Sequence, residues 1–131
     1  MERCFRTIVL GVNDMKKINI GKDFSPDPAG RFNSDGPGSG EVFREEVLRP
    51  MIDQLKGDEK IVIILDDGVE GYGSSFLAEG FAGMVKYGYI KGADLLAKLD
   101  IQYEDEDFKF YKNRIIQYIT EAKYASEIYA Q

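Results

Sequence analysis

Two spacings of apolar residues organise this chain. Strand-like runs at Thr7 to Val12 and Ile18 to Ile20, separated by the turn-prone pair Asn13-Asp14, predict a leading hairpin. From Glu41 to Lys56 the apolar positions Phe43, Val47, Leu48, Met51, Ile52 and Leu55 recur every three or four residues, which predicts an amphipathic helix with Ser39 as its N-cap. Pro50 lies inside that pattern. It removes a backbone donor and crowds the turn before it, so a kink or restart is expected near Arg49. Ile61 to Leu65 is a continuous, mostly β-branched apolar run ended by Asp66-Asp67-Gly68, the profile of a central strand buried on both faces.

Beyond it, Ser74 to Tyr87 places Leu77, Phe81, Met84 and Val85 on one helical face. Ala93 to Leu99 suits a short helix and Asp100 to Glu104 a further strand. Phe108, Tyr111, Ile115, Tyr118, Ile119, Ala122 and Ala125 then describe a long C-terminal helix, opened by the acidic run Glu104 to Asp107, whose charges favour a helix N-terminus. The order hairpin, helix, strand, helix, strand, helix predicts an α/β fold: a small mixed sheet of about four strands with helices mainly on one face. One domain over 1–131 is expected, with 1–17 as a leading strand or extension and 108–131 as the C-terminal helix. Residues 24–40 interrupt this order with Pro, Gly, Ser, Asp and Asn, a loop long enough to be a candidate site.

Composition narrows the classes of function. The 131 residues are 44% hydrophobic and 31% charged, with neither a membrane-length apolar run nor a secretory leader, so a soluble cytoplasmic protein is expected. Cys4 is the single cysteine, which fits a reducing compartment. A net charge of -6 disfavours nucleic acid and anionic membranes and favours protein or small-ligand partners. Histidine is absent, which closes the Ser-His-Asp and Cys-His nucleophile systems and the usual zinc sets. No catalytic constellation, metal or cofactor is expected, and the oligomeric state is open, a homodimer included.

The stretch Gly71-Tyr72-Gly73-Ser74-Ser75-Phe76-Leu77 follows the central strand and opens a helix. Here the chain resembles the STAS domains of anti-sigma-factor antagonists, in which a strand is followed by Asp-Ser-Ser-Gly and the first serine is phosphorylated by a partner kinase. Ser74 matches that serine and Ser75 its neighbour, whereas Gly73 stands in place of the aspartate and Phe76 in place of the glycine. The resemblance implies Ser74 and Ser75 as phosphorylation candidates and Gly71, Tyr72, Gly73, Ser74, Ser75 and Phe76 as a partner-binding surface. Physical chemistry agrees that a phosphate suits a helix N-terminus. The plainer reading is that Ser74 caps the helix and Ser75 occupies its first turn.

A broader likeness joins that stretch to Gly30-Arg31-Phe32, Ser34-Asp35-Gly36-Pro37, Ser39-Gly40-Glu41, Phe43-Arg44 and Phe81-Ala82-Gly83. Together these resemble a STAS-like family of bacterial and phage proteins without an assigned function, from about Ile18 to the last strand. Members of that family often accompany histidine-kinase-like ATPase domains, which implies a partner of that kind and a regulatory, non-catalytic role.

Two other functions compete. Arg31, Ser34, Asp35, Gly36, Ser39, Gly40 and Arg44 form a Gly-rich approach to a helix N-terminus flanked by two arginines, a candidate small-ligand or nucleotide site. No Gly-Lys-Ser/Thr follows, so it is not a Walker A loop, and a structural brace between Asp35 and Arg31 is the favoured alternative. The third is an inhibitory protein of phage type that occupies a basic target through its acidic surface. Asp66, Asp67 and Glu70 fit a turn better than a magnesium site, because adjacent strand residues point to opposite faces. The run Glu104 to Asp107 reads as a solvated helix start, and Tyr124 and Tyr129 as exposed residues suited to an interface.

Overall fold

A computed structural model describes residues 16–129. Among them, three strands form one parallel sheet: β1 (Lys16–Asn19), β2 (Ile61–Ile64) and β3 (Leu99–Gln102), in that spatial order. The register aligns Ile18 with Ile63 and Ile63 with Ile101, and Ile61 with Leu99. With side chains alternating along each strand, these residues share one face, and that is the face the core occupies. The α/β class is as the sequence implies. The sheet differs in detail: its described strands are all parallel rather than mixed, and the fourth expected strand, Thr7 to Val12, lies outside the described residues, as does Cys4.

Four helices cover the core face: α1 over 40–53, α2 over 74–86, α3 (Gly92–Lys98) and α4 (Lys109–Glu121). Parallel neighbours require a crossover, and helices supply each one here, α1 between β1 and β2 and then α2 with α3 between β2 and β3. Fully buried Ile18, Ile61, Ile63, Phe43, Leu48, Phe76, Leu77, Phe81, Leu95, Ile115 and Ile119 form the shared interior. Ser39 caps α1 as expected, its hydroxyl accepting from the Val42 amide at 3.3 Å. Pro50 produces the expected restart: residues 44–48 form a wider turn in which the Arg49 amide bonds to the Arg44 carbonyl, and regular helix resumes with Pro50 in its first turn, where no donor is needed.

A matching wide turn interrupts α2 at residues 78–82. The first turn of α1 packs against this part of α2, and it does so very closely. A methyl at Gly40 would lie 2.6 Å from the Phe76 carbonyl oxygen and 2.9 Å from the Gly80 amide, so only glycine lets the backbones meet there. At the end of the chain α4 stops at Glu121, and residues 122–129 fold back as an irregular strap where the apolar spacing had extended the helix to Ala125. The acidic run does start it, with Asp105 capping a short turn at Glu106–Phe108 that leads into α4. Among the described residues no helix is long and apolar enough to cross a membrane.

Candidate functional site

Because the three strands run the same way, the loops that follow them leave from one edge of the sheet. Residues 20–39 follow β1, 65–73 follow β2 and 103–105 follow β3. Open parallel sheets hold ligands at this carboxyl edge. Both segments singled out in the sequence are brought there.

Two aspartates tie the edge together. Asp66 accepts from the amides of Glu104 and Asp105 at 2.8 and 2.7 Å, which anchors it toward β3. Asp67 turns the other way and accepts from the Asn19 side-chain amide at 2.8 Å, next to β1. The pair diverges as alternating side chains should, and among the described residues no group of His, Cys, Asp or Glu is placed to hold a metal ion.

Ser74 is the first residue of α2 and its side chain is exposed. The capping position belongs to Gly73, with no side-chain cap, so the expectation that Ser74 caps the helix is corrected. The first bond of the helix runs from the Leu77 amide to the Gly73 carbonyl at 3.2 Å. The amides of Ser74, Ser75 and Phe76 therefore precede the ladder and point out of the helix end. Ser75 is half-buried and Gly71 likewise.

Two members of the expected docking surface are not on the surface. Tyr72 is buried and donates its hydroxyl to the Leu65 carbonyl at 2.6 Å; burial drives its phenol well above the ordinary range. Phe76 is fully buried among the rings of Phe24, Phe43 and Tyr72. Tyr72 packs its ring against those of Phe76, Phe108 and Tyr111, and Phe76 lies with Leu77 on the buried face of α2. The accessible part is the rim of Gly71, Gly73, Ser74 and Ser75. Beside it a cleft of about 390 Å³ opens between Pro26–Ala29 and Glu70–Gly73, with Tyr111 on its wall.

The Gly-rich loop is a brace. Asp35 accepts from the amides of Arg31 and Phe32, both at 3.0 Å, and these two bonds, that from Phe32 first, hold its carboxyl below the usual range. Ser34 is exposed on the same short turn, and Gly36 ends that turn at φ 135°. The donors a phosphate would need are taken: Gly40 bonds to the Gly30 carbonyl at 2.9 Å, Glu41 to that of Arg31 at 3.0 Å, and Val42 to Ser39. The two arginines are turned away from the loop as well. Both reach Glu79.

Glu79, which the sequence reading passed over, is the centre of the charged interior. Its side chain is 1% exposed and receives Arg44 Nη1 at 2.8 Å, Arg31 Nη1 at 3.3 Å, Lys86 Nζ at 3.4 Å and the Tyr87 hydroxyl at 2.9 Å. Arg44, fully buried, also donates to the Glu79 carbonyl and from Nε to Glu45, both at 2.8 Å. Glu45 in turn receives Arg49 and the Tyr89 hydroxyl. Burial raises the Glu79 carboxyl, but bonds from Tyr87 and Arg44 and the charges of Lys86 and Arg44 outweigh it and hold the group below the ordinary range. Glu45 is lowered in the same way, by Arg44 foremost. Burial disfavours the Arg44 charge, yet its bonds to Glu45 and Glu79 raise it above the ordinary arginine value.

A sequence signal for Glu79 does exist. It lies three residues after Phe76 and four before Gly83, an acid on an apolar helical face, while Arg44 sits four residues from Gly40 and from Leu48 on the facing helix. Opposite charges on two buried faces that also carry close-approach glycines mark a crossing with an internal ion pair.

Compared with family models, curated proteins and solved structures, the chain finds no match in any of the three. The fold therefore defines the class, an α/β protein with a parallel sheet, and the site is argued from its own residues.

Proposed function

We propose that this protein is a regulatory, non-catalytic interaction module whose rim at Gly71, Gly73, Ser74 and Ser75 docks a protein partner, with Ser74 as the residue whose phosphorylation switches the contact. The observation that carries this reading is the exposed Ser74 hydroxyl at the first position of α2, with three backbone amides ahead of the helix ladder beside it. A phosphoryl group there adds roughly 1.5 to 2 negative charges and meets both the free amides and the positive end of the helix dipole. Asp27 and Glu70 flank the adjoining cleft, so the added charge falls on an already acidic surface and repels an acidic partner face. The resemblance to STAS-like proteins supports a histidine-kinase-like ATPase as that partner.

The test combines mass spectrometry of the protein recovered from its host with binding of the co-purified ATPase to Ser74→Ala and Ser74→Glu. Phosphate on Ser74, with binding retained by the alanine variant and lost by the glutamate variant, supports the switch. Equal binding by both variants defeats it. A ligand-binding reading keeps one observation in its favour, a single donor of Arg44 without a partner.

A further inference from the structure

That donor lies outside the Ser74 reading and leads to a second site. Arg44 is fully buried, and its Nε and Nη1 atoms are committed to Glu45 and Glu79, whereas Nη2 has no hydrogen-bond partner among the described residues. Buried charged donors are rarely left so, because the water they lose must be replaced. The guanidinium lies 4.6 Å from the ring centroid of Tyr87 and 4.9 Å from that of Tyr129. Ring faces offset the charge, but they offer no lone pair to the N–H groups of Nη2.

The two rings differ in how they are held. Tyr87 closes α2 and is fixed by its bond to Glu79. Tyr129 is carried by the strap that leaves α4 after Glu121, and that strap has few ties. Its amides at Ala125 and Glu127 bond to the carbonyls of Val85 and Lys86 at 2.9 and 3.1 Å, and the Tyr129 hydroxyl bonds to the Glu41 carboxylate. Residues 123–128 are all exposed, Ile128 at 92%, so the strap buries little apolar surface to hold it down. Ala125 also sits in the left-handed region at φ 54°, which a residue with a side chain adopts at some cost.

Beneath the strap, charged groups are concentrated. Arg31, Arg44, Arg49 and Lys86 are paired with Glu45 and Glu79, and Glu41 is held by the Tyr129 hydroxyl. Arg31 and Lys86 reach Glu79 only at 3.3 and 3.4 Å, the long end of such contacts, and both are partly exposed.

We propose that residues 122–129 are a displaceable strap over a latent oxyanion site, in which a carboxylate or phosphate oxygen takes the place of the Tyr129 ring, is held by Arg44 Nη2 and is walled by Tyr87. The ligand satisfies the orphaned donor of the buried guanidinium. The closed strap competes with it, so apparent affinity is reduced by the fraction of molecules in which the strap is open.

The experiment is a thermal-shift titration with inorganic phosphate, at ionic strength matched with chloride, on the unaltered chain, Tyr129→Phe and Tyr129→Ala. Tyr129→Ala should gain a saturable stabilisation at a concentration at least about tenfold lower than the unaltered chain, as expected when a mostly closed state is opened. Tyr129→Phe keeps the ring but gives up the tie to Glu41, so its response should fall between those of the other two proteins. Acetate run in parallel separates a planar from a tetrahedral preference. No response of Tyr129→Ala to either anion overturns the proposal, and so does an equal response of all three proteins. Should Tyr129→Ala not fold, hydrogen exchange on the unaltered chain decides: saturating phosphate must lower the protection of the Ala125 and Glu127 amides, and unchanged protection overturns the site.

Discussion

Arg44 and Glu79 show how burial changes the value of a charge. In water an ion pair contributes little, but with both side chains removed from solvent, the loss of one strands the other. Arg44→Ala leaves Glu79 and Glu45 short of their shared donor and should lower stability by about 3–5 kcal/mol in denaturant melts. The acid limb of stability follows from the same residues. Glu79 has a carboxyl value below the 4.5 it takes when free, so the folded state binds fewer protons than the unfolded state in that region. Its contribution is complete above pH 4.5 and is lost as pH falls through the lower, folded value. Melting temperature measured against pH should therefore fall less steeply below pH 4.5 in Glu79→Gln than in the unaltered chain, from a lower starting point at neutral pH.

Helices α1 and α2 are joined by what their close approach permits. Each contains a wide turn where they face one another, and Gly40 lets two backbones come within reach. Gly40→Ala pushes a methyl against a carbonyl and an amide, neither of which can move alone, and should cost about 1–3 kcal/mol by the overpacking mechanism. Gly73→Ala is the contrasting case. Its added methyl meets nothing within 4 Å and its φ is -73°, so stability should change by less than about 0.5 kcal/mol. Chemical denaturation of both variants tests whether tight backbone contact, rather than glycine content, governs this pair. Pro50 belongs to the same scale: the chain accommodates it by restarting the helix, at a position readable from the spacing of apolar residues around it.

For the molecule as a whole, two segments separated by the central strand meet at one sheet edge. The Pro/Gly-rich loop after β1 and the Gly71–Gly73 turn after β2 together make the cleft beside Ser74. With an acidic rim facing an acidic partner surface, partner affinity should fall in Ser74→Glu and that loss should shrink as salt screens the repulsion, measured by titration at two ionic strengths. An affinity independent of both would place the interface elsewhere.

Much of this arrangement was legible along the chain. Local rules sufficed for the central strand within Ile61 to Leu65, the cap at Ser39, the restart before Pro50 and the divergence of Asp66 and Asp67, because each depends on neighbours within a turn or along one strand, whereas Ile64 stays half-buried on the face the helices leave open. Tertiary structure alone decided that Tyr72 and Phe76 are interior, that Arg31 and Arg44 serve Glu79 instead of the Gly-rich loop, and that Tyr129 lies over Arg44. Those partners are far apart in sequence, 35 positions for Arg44 and Glu79 and 88 for Glu41 and Tyr129. Periodicity identifies the face of a helix that is buried, but the residue it meets is chosen by how whole elements dock.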